Sequence, residues 1–414
     1  DPAVKGLLYA GTETGLYASW DSGDSWQRLS GGVSKGGRRA LPVVPIHDLI
    51  VHGDDLVIGT HGRSFWVLDD LAPIREWRGR SSADAATLFP IATTYRVQPP
   101  HSWGRSNTVG YKAYLNTGGS QAMGIVRAAE DGGTRFELLN AGENPAVGVS
   151  VYYALAGDKP AEDVALSFWT ADGELIRRFS LEDDQSKQPA DMRLKAEPGL
   201  HRFVWNMRYP DATKIEGAAL SLYWGGSTIG PVVAPGSYEA RLEAGGKEYR
   251  QPFDVQRDPR VSASDDDLVA QRDLLLQIRD KLGAVHDAVL ASRKLREQIS
   301  AWTTRLKDAG KDDLVPALEQ ASERLLAAEG ELVESRSKGA ADSFNFPPKV
   351  NSKLASLQGT VAYGDSRPPQ QTYDVYEVLA AQADENLAAL AKVVDEVTKD
   401  LNDKIAASGV PAIG

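Results

Sequence analysis

The pattern of apolar and polar positions divides the chain into a β-rich first part and a helical last part. Before residue 258, apolar residues occur in short runs with a period of two, and Gly, Pro and Asp separate the runs. This pattern is typical of strands. From residue 264 onward, apolar residues recur every three or four positions, as on one face of a helix. The sequence therefore predicts a multidomain protein that combines β and α structure.

Two groups of short strands are predicted within residues 1–80, one over residues 7–29 and one over residues 46–69. Both contain the phrase Leu-x-x-Gly-Thr followed by a polar turn, at an offset of about 48 residues, which lies within the repeat length of β-propeller blades. Each group has only three strands, whereas a propeller closes with at least about four four-stranded blades. We therefore expect an N-terminal propeller fragment or a companion chain to complete these blades. The alternative is a small self-contained β-domain.

Residues 19–26 read Ser-Trp-Asp-Ser-Gly-Asp-Ser-Trp and fit the pattern Ser/Thr-x-Asp-x-Gly-x-Ser/Thr-Trp, known as the Asp-box. A short polar residue that can close a turn precedes a glycine that is free to adopt positive φ. The final tryptophan is expected to fill the gap between two blades. The motif describes architecture more than chemistry. We therefore assign a structural role to its five defining residues, which are Ser19, Asp21, Gly23, Ser25 and Trp26.

Residues 51–70 resemble the last blade of exported bacterial β-propeller proteins with BNR or Asp-box repeats, the sortilin-like or "glycosyl hydrolase, BNR repeat" type. The resemblance continues over later segments and covers nearly the whole chain; these are residues 200–210, 234–238, 258–260 and 344–354. It implies a bacterial protein in the periplasm or outside the cell. The hydrolase label of this family rests largely on its propeller fold, so the resemblance implies an architecture more than an activity.

Three further regions follow the blades. Residues 81–134 are expected to form an irregular connecting segment. Residues 135–258 contain about seven short strands with turn signals between them, typical of a fibronectin-III-like or immunoglobulin-like β-sandwich. Within them, the apolar insertion at residues 217–230 is expected to dock on the propeller or on a partner. Residues 264–410 are expected to form a three- or four-helix antiparallel bundle, with a partner-binding coiled coil as the alternative.

The helices of the last region can be placed from their apolar stripes. The first is predicted to begin after Ser264, because Ser264 and Asp267 have the spacing of a capping box. It extends to about residue 308. The later helices are predicted over residues 312–336, 350–358 and 372–407.

Composition excludes several classes of function. The chain has 57 acidic and 46 basic residues and a net charge of −11, which argues against nucleic acid as a partner. No apolar run approaches the roughly 18–20 residues of a membrane span. The absence of cysteine excludes disulfide bonds and thiolate chemistry. The six histidines form no zinc-binding spacing, so neither a metal nor another cofactor is expected.

One short segment is a candidate for ligand binding. His61 and Arg63 follow a predicted inner blade strand, and such positions line the channel or one mouth of a propeller. Arg63 and His61 can hold a carboxylate or a sugar hydroxyl, and Trp66 can offer a stacking face. In the alternative interpretation, Arg63 pairs with Asp69 or Asp70 and Trp66 fills the core between blades.

The leading functional hypothesis is a binding or scaffold protein whose propeller face holds a polysaccharide or a polypeptide. A glycosidase needs two carboxylates placed across a sugar, and the sequence nominates no such pair, so no catalytic residue is assigned. The alternative is a glycoside hydrolase whose catalytic carboxylates lie on N-terminal blades outside this chain. A third hypothesis is assembly through the helical region.

Overall fold

The chain folds as two units, one built from β-sheets and one mainly from helices. In a computed structural model, the first unit comprises Asp1–Met207 and Gly236–Asp258, and the second comprises Arg208–Pro235 and Pro259–Gly414. The mixed β and α composition and the helical C-terminal region agree with the sequence prediction. The structure describes residues 1–29, 41–77, 85–97, 108–117, 120–128, 134–139, 141–142, 145–216, 226–338, 342 and 344–411.

The first unit begins with two three-stranded antiparallel sheets, in the order β1-β2-β3 and β4-β5-β6. All six strands were predicted from the sequence, and the bounds agree closely. The strands of the first sheet are β1 (Leu8–Thr12), β2 (Gly15–Ser19) and β3 (Gln27–Arg28). Those of the second sheet are β4 (Ile46–His52), β5 (Asp55–Thr60) and β6 (Phe65–Leu68).

These two sheets share one hydrophobic core. Its buried members come from both sheets and from the segment that follows β6; they are Leu16, Ile46, Leu56, Ile58 and Leu71. Gly11 marks the close approach between the sheets, because a Cβ atom at this position would overlap the Ile46 side chain. The glycine of the repeated Gly-Thr phrase in β1 is therefore required for packing between the sheets.

A three-stranded and a five-stranded sheet form a second core in this unit. One has the strand order β15-β12-β7 and the other β14-β13-β16-β17-β8. The strands of the first are β7 (Ala86–Leu88), β12 (Val149–Leu155) and β15 (Gly199–Trp205). Those of the second are β8 (Thr94–Arg96), β13 (Ala165–Thr170), β14 (Leu175–Ser180), β16 (Gly236–Ala244) and β17 (Lys247–Arg257).

An aromatic cluster joins these two sheets. Trp205 of β15 stacks on Phe168 of β13, with ring centroids 4.2 Å apart and an interplanar angle of 13°. Phe253 of β17 meets both rings edge-on at 6.3 Å. Phe203 and Phe179 complete the cluster at 4.9 Å from each other. Trp205, Phe168 and Phe203 are wholly buried, so this cluster is the centre of the unit.

The prediction that residues 81–134 are irregular is wrong. Besides β7 and β8, this region contains β9 (Lys112–Thr117) and β10 (Ser120–Ala128), and β11 (Thr134–Leu138) begins at its end. β10 pairs with both β9 and β11. β7 and β8 have only three residues each, too few to show a period of two, and β9 and β10 contain many small or polar residues. Pairing with the distant strands β12 and β17 therefore holds β7 and β8, whereas β9, β10 and β11 pair with one another.

The first unit contains a short helix, α1 (Ala72–Arg75). The described residues of the second unit contain four α-helices around one hydrophobic core: α2 (Asp265–Asp308), α3 (Val315–Glu329), α4 (Val350–Val361) and α5 (Gln370–Ser408). The predicted capping box is confirmed, since Ser264 Oγ accepts from the Asp267 amide at 3.2 Å and the Asp267 carboxylate accepts from the Ser264 amide at 2.9 Å. α3 ends at Glu329, seven residues before the predicted end at residue 336. None of the described helices is both long and apolar enough to cross a bilayer.

The predicted β-sandwich region, residues 135–258, is divided between the two units. Arg208–Pro235 belongs to the helical unit. There the Ser227 amide donates to the Ala355 carbonyl of α4 at 2.9 Å, and Gln358 Nε2 donates to the Ile229 carbonyl at 2.5 Å. The predicted docking insertion, residues 217–230, lies mostly outside the described residues, but its last part thus binds α4. These contacts join residues about 130 positions apart, which no local sequence pattern reveals.

A buried histidine lies within the helical unit. His286 of α2 is 2% exposed, and its Nδ1 donates to the Thr213 carbonyl at 2.6 Å. Nε2 then accepts from Asn351 Nδ2 at 3.4 Å, so the ring is neutral. Burial lowers the pKa of His286; hydrogen bonding to Thr213 and the Asp287 charge oppose this shift, while Arg293 adds to it.

The lowered pKa of His286 predicts a loss of stability in mild acid. The unfolded chain takes up a proton at about pH 6.5, whereas the folded chain does so only at lower pH. The free energy of unfolding of the native protein, relative to a His286→Gln variant, should therefore be constant above about pH 7.5 and decrease from about pH 6.5 downward. Urea denaturation of both proteins at several pH values measures this difference. A difference that does not change with pH would contradict the assignment.

The aromatic cluster predicts a large effect of one truncation. Phe168→Ala leaves a cavity beside Trp205 and should lower the free energy of unfolding of the β unit by about 3–5 kcal/mol. Leu175→Ala serves as the control, because Leu175 is half exposed and its truncation should cost less than about 1 kcal/mol. Tryptophan fluorescence during urea unfolding gives both values. Equal effects of the two substitutions would show that the cluster is not the core.

Candidate functional site

The Asp-box forms a closed hydrogen-bonded turn between β2 and β3. Asp21 Oδ1 accepts from Ser19 Oγ at 2.7 Å and from the Ser25 amide at 2.9 Å, while Oδ2 accepts from the Ser25 hydroxyl. Ser19 Oγ in turn accepts from the Gly23 amide at 2.9 Å. Gly23 has a φ of +103°, as the sequence required. Asp21 thus binds both arms of the turn.

The tryptophan of the box completes the turn without entering a core. Trp26 Nε1 donates to the Gly23 carbonyl at 3.0 Å, and the residue is 43% exposed. Within the described residues it therefore does not fill a gap between sheets, as had been expected. The polar groups of Ser19, Asp21 and Ser25 satisfy one another, which fits the predicted structural role of the motif.

The second hairpin, between β5 and β6, has a different turn. Gly62 and Ser64 both have positive φ, +76° and +69°, and the Thr60 hydroxyl donates to the Ser64 carbonyl at 2.6 Å. Trp66 Nε1 donates to the Arg63 carbonyl at 2.9 Å. This bond repeats the one in the Asp-box, where the tryptophan also binds the carbonyl three residues earlier. The turn residues 61–64 include no carboxylate, so the His61 and Arg63 side chains at the tip are not bound by an acid of the turn itself.

The predicted ligand-binding residues separate into two groups. His61 and Arg63 are exposed at the tip of the hairpin, and the His61 ring lies 4.8 Å from that of His47. Trp66 is partly buried against the core that the two sheets share. Its expected role as a stacking face therefore does not fit its position, and the alternative of core packing does. Within the described part of the chain, Arg63 forms no ion pair with Asp69 or Asp70.

Sequence reasoning missed Phe65. It is 80% exposed and lies directly beside the hairpin tip. Strand alternation places Phe65 and Trp66 on opposite faces of the sheet, and the sequence left open which of the two points inward. Together, His47, His61, Arg63 and Phe65 form an exposed surface with two imidazoles, one guanidinium and one aromatic ring; we call it the hairpin surface.

One face of the second sheet is also exposed. Ile50 of β4 pairs with Val57 of β5, which pairs with Val67 of β6, so the three side chains lie on the same face. Ile50 is 61% and Val67 51% exposed. The opposite face lies on the shared core. One apolar face of the second sheet is therefore buried in the shared core, and the other is exposed to solvent.

A strained carboxylate follows β6. Asp70 has a φ of +62°, its Oδ1 accepts from the Ala72 amide at 3.0 Å, and its Oδ2 is buried without a hydrogen-bond partner among the described residues. Burial raises the pKa of Asp70, and the charges of Asp54 and Asp55 add to this effect, whereas the Ala72 bond and Arg75 oppose it. Backbone strain at a buried acid is a feature of functional sites. The bond from the Ala72 amide to Asp70 holds the turn that follows β6.

A third feature is an acidic cleft of about 400 Å³ in the five-stranded sheet region. Asp163 accepts from the amides of Gly246 and Gly245, which lower its pKa, and Arg178 pairs with Glu243 at 3.1 Å. Its main polar groups thus bind within the protein. Across the described residues, no group of three or more His, Cys, Asp or Glu side chains can hold a metal ion.

Comparison with known proteins does not place the chain in a family. No protein-family model matches it, and no curated protein is similar to it in sequence. Among solved structures, a chain named pT26-6p matches with a TM-score of 0.13 and 10% sequence identity, over 59% of this chain and 46% of that chain. The match spans less than half of that chain, and a similarity of this size carries no argument about fold or function.

The geometry of the Asp-box predicts that Asp21 stabilises the turn. Asp21→Ala removes the acceptor of three hydrogen bonds and should lower the free energy of unfolding by about 1–3 kcal/mol. Asp24→Ala is the matched control, because it removes the same charge in the same turn without a side-chain bond, and should change stability by less than about 0.5 kcal/mol. Chemical denaturation compares the two variants. Indistinguishable stabilities would refute the structural role of the box.

Proposed function

We propose that this chain is part of an exported binding protein built on Asp-box propeller blades, and that the hairpin surface binds an acidic polysaccharide. The observation that supports this proposal is the contrast between two hairpins of similar construction. In the Asp-box hairpin, Asp21 satisfies the polar groups of the turn. In the other hairpin, Arg63 and His61 point into solvent with no carboxylate partner among the described residues.

The chemistry of the hairpin surface favours an acidic sugar polymer. A guanidinium binds a carboxylate through two parallel hydrogen bonds, which gives both affinity and orientation. The exposed Phe65 ring can cover the apolar face of a sugar, and the two imidazoles can hydrogen-bond hydroxyl groups. A polypeptide with acidic side chains presents the same carboxylate but lacks a ring of hydroxyls, so it uses fewer of these groups.

The exposed apolar face of the second sheet supports the propeller architecture. Ile50, Val57 and Val67 form the kind of surface that one blade buries against the next, in the same way that the opposite face is buried against the first sheet. We propose that a further blade, from the same polypeptide or from a companion chain, covers Ile50, Val57 and Val67. Phe65 lies on the same face at its hairpin end, and we propose that it remains outside the covered part. The three-stranded sheet β15-β12-β7 and the five-stranded sheet, which share the aromatic cluster, support the proposal of a β-sandwich next to the propeller blades.

Substitutions at the hairpin tip test the proposed ligand. Polygalacturonate is the probe, with neutral dextran as the ligand control. Arg63→Gln should weaken binding by at least about tenfold, since loss of one charged hydrogen-bond pair amounts to about 1.5–3 kcal/mol. Phe65→Ser should weaken it to a similar degree. Isothermal titration calorimetry measures the dissociation constants.

Arg28→Gln is the matched control, because Arg28 is an exposed arginine of β3 on the neighbouring sheet. It should change the affinity by less than about twofold, since an exposed distant charge contributes little at physiological salt. Equal losses in the Arg28 and Arg63 variants would mean non-specific charge attraction and would overturn the proposal. Tighter binding of poly-glutamate than of polygalacturonate would assign the surface to polypeptides.

A further inference from the structure

A polar groove lies between α2 and α3 of the helical unit, away from the residues of the hairpin surface in sequence. Its volume is about 600 Å³. Arg293, Arg296 and Ser300 contribute from α2 at helical spacing, so they share one face of that helix. Ser322 and Glu329 contribute from α3, and Ser335 from the segment that follows it.

A single buried carboxylate fixes both arginines. The side chain of Glu329 is only 2% exposed, and each of its oxygens binds a different guanidinium. Arg293 Nε donates to Oε1 at 2.8 Å, and Arg296 Nη1 donates to Oε2 at 3.3 Å. Holding the arginines in this way reduces the conformational entropy that a ligand would otherwise have to remove. The two guanidiniums are therefore preorganised at the groove.

Hydrogen-bond donors exceed acceptors in this groove. The Nε of Arg296 is buried and has no partner among the described residues. The outer N–H groups of both guanidiniums and the hydroxyls of Ser300, Ser322 and Ser335 likewise form no bonds in the described part of the chain. Both oxygens of Glu329 are already used, and the remaining carboxylate, Glu297, is exposed at the rim. A ligand that fits must supply several acceptor oxygens.

We propose that this groove binds a tetrahedral oxyanion, the phosphate or sulfate group of a small ion or of a polymer. Such a group offers acceptor oxygens in several directions, which matches two guanidiniums on α2 and hydroxyls on both sides of the groove. A single carboxylate has its oxygens in one plane and reaches fewer of these donors. The site lies in a different unit from the hairpin surface, so its test is independent of the proposed function.

The charges of the groove predict how the affinity responds to substitution and salt. Glu329 neutralises one of the two arginines, and Glu297 opposes the other from an exposed, solvent-screened position. Binding should therefore be moderate and should weaken as the salt concentration rises. Removing the charge of Glu297 should strengthen oxyanion binding, because Glu297 repels the oxyanion and does not help Glu329 to hold the two arginines.

Titration calorimetry with inorganic phosphate, at constant ionic strength in chloride, tests the proposal on the full chain. We expect saturable one-to-one binding. Arg293→Gln and Arg296→Gln should each weaken it at least about tenfold. Either variant leaves Glu329 paired with the other arginine, so the fold should persist, and the melting temperature checks this. Lys294→Gln, an adjacent exposed charge of α2 that does not line the groove, should change the affinity less than about twofold.

Glu297→Gln keeps the proposal testable if the arginine variants unfold, since it should bind phosphate about two- to fivefold more tightly without touching the buried carboxylate. No saturable binding of phosphate or sulfate by the native chain would overturn the proposal, and so would unchanged affinity in both arginine variants. Competition with phosphate by dextran sulfate and by neutral dextran shows whether the bound oxyanion belongs to a polymer or is a free ion. If only dextran sulfate displaces phosphate, the site binds the charged group of a polymer. If dextran sulfate does not displace phosphate, the site binds the free ion.

Discussion

The core shared by two three-stranded sheets is the constraint on which the rest of the β-rich start depends. A sheet with one hydrophobic face must bury that face against another element, so each of the two sheets covers the other. Leu16 on one side and Leu56 and Ile58 on the other achieve this, and Gly11 allows the close approach. The second sheet still presents Ile50 and Val67 to solvent. This exposed apolar face is the basis of our proposal that a further sheet covers it.

The two hairpins of these sheets show how similar turns acquire different roles. In both, a tryptophan Nε1 donates to the carbonyl three residues earlier. In one, Asp21 adds a network of side-chain bonds that closes the turn. In the other, no acid occupies the turn, and Arg63 remains exposed. The two hairpins thus differ in one kind of residue, a turn carboxylate, and the proposed binding role of the second hairpin rests on this difference.

The sequence predicted elements well where the pattern is local. The six strands of the first two sheets and the capping box at Ser264 follow from turn residues and periodicity. The sequence did not predict elements whose structural partners lie far away in the chain. β7 and β8 are held by β12 and β17, and Arg208–Pro235 joins the helices through bonds to α4. At the candidate site, sequence found Arg63 and His61 but chose Trp66 over Phe65, because alternation alone does not say which face is buried. No sequence motif indicated the groove between α2 and α3.

We propose that the β5–β6 hairpin binds the ligand, whereas the Asp-box hairpin has a structural role alone. Hydrogen–deuterium exchange with and without saturating polygalacturonate tests this directly, because both hairpins are observed in one experiment. We expect slower exchange over residues 60–66 and around His47, and unchanged exchange over residues 19–27. Protection of the Asp-box turn, or no protection at either hairpin, would contradict it.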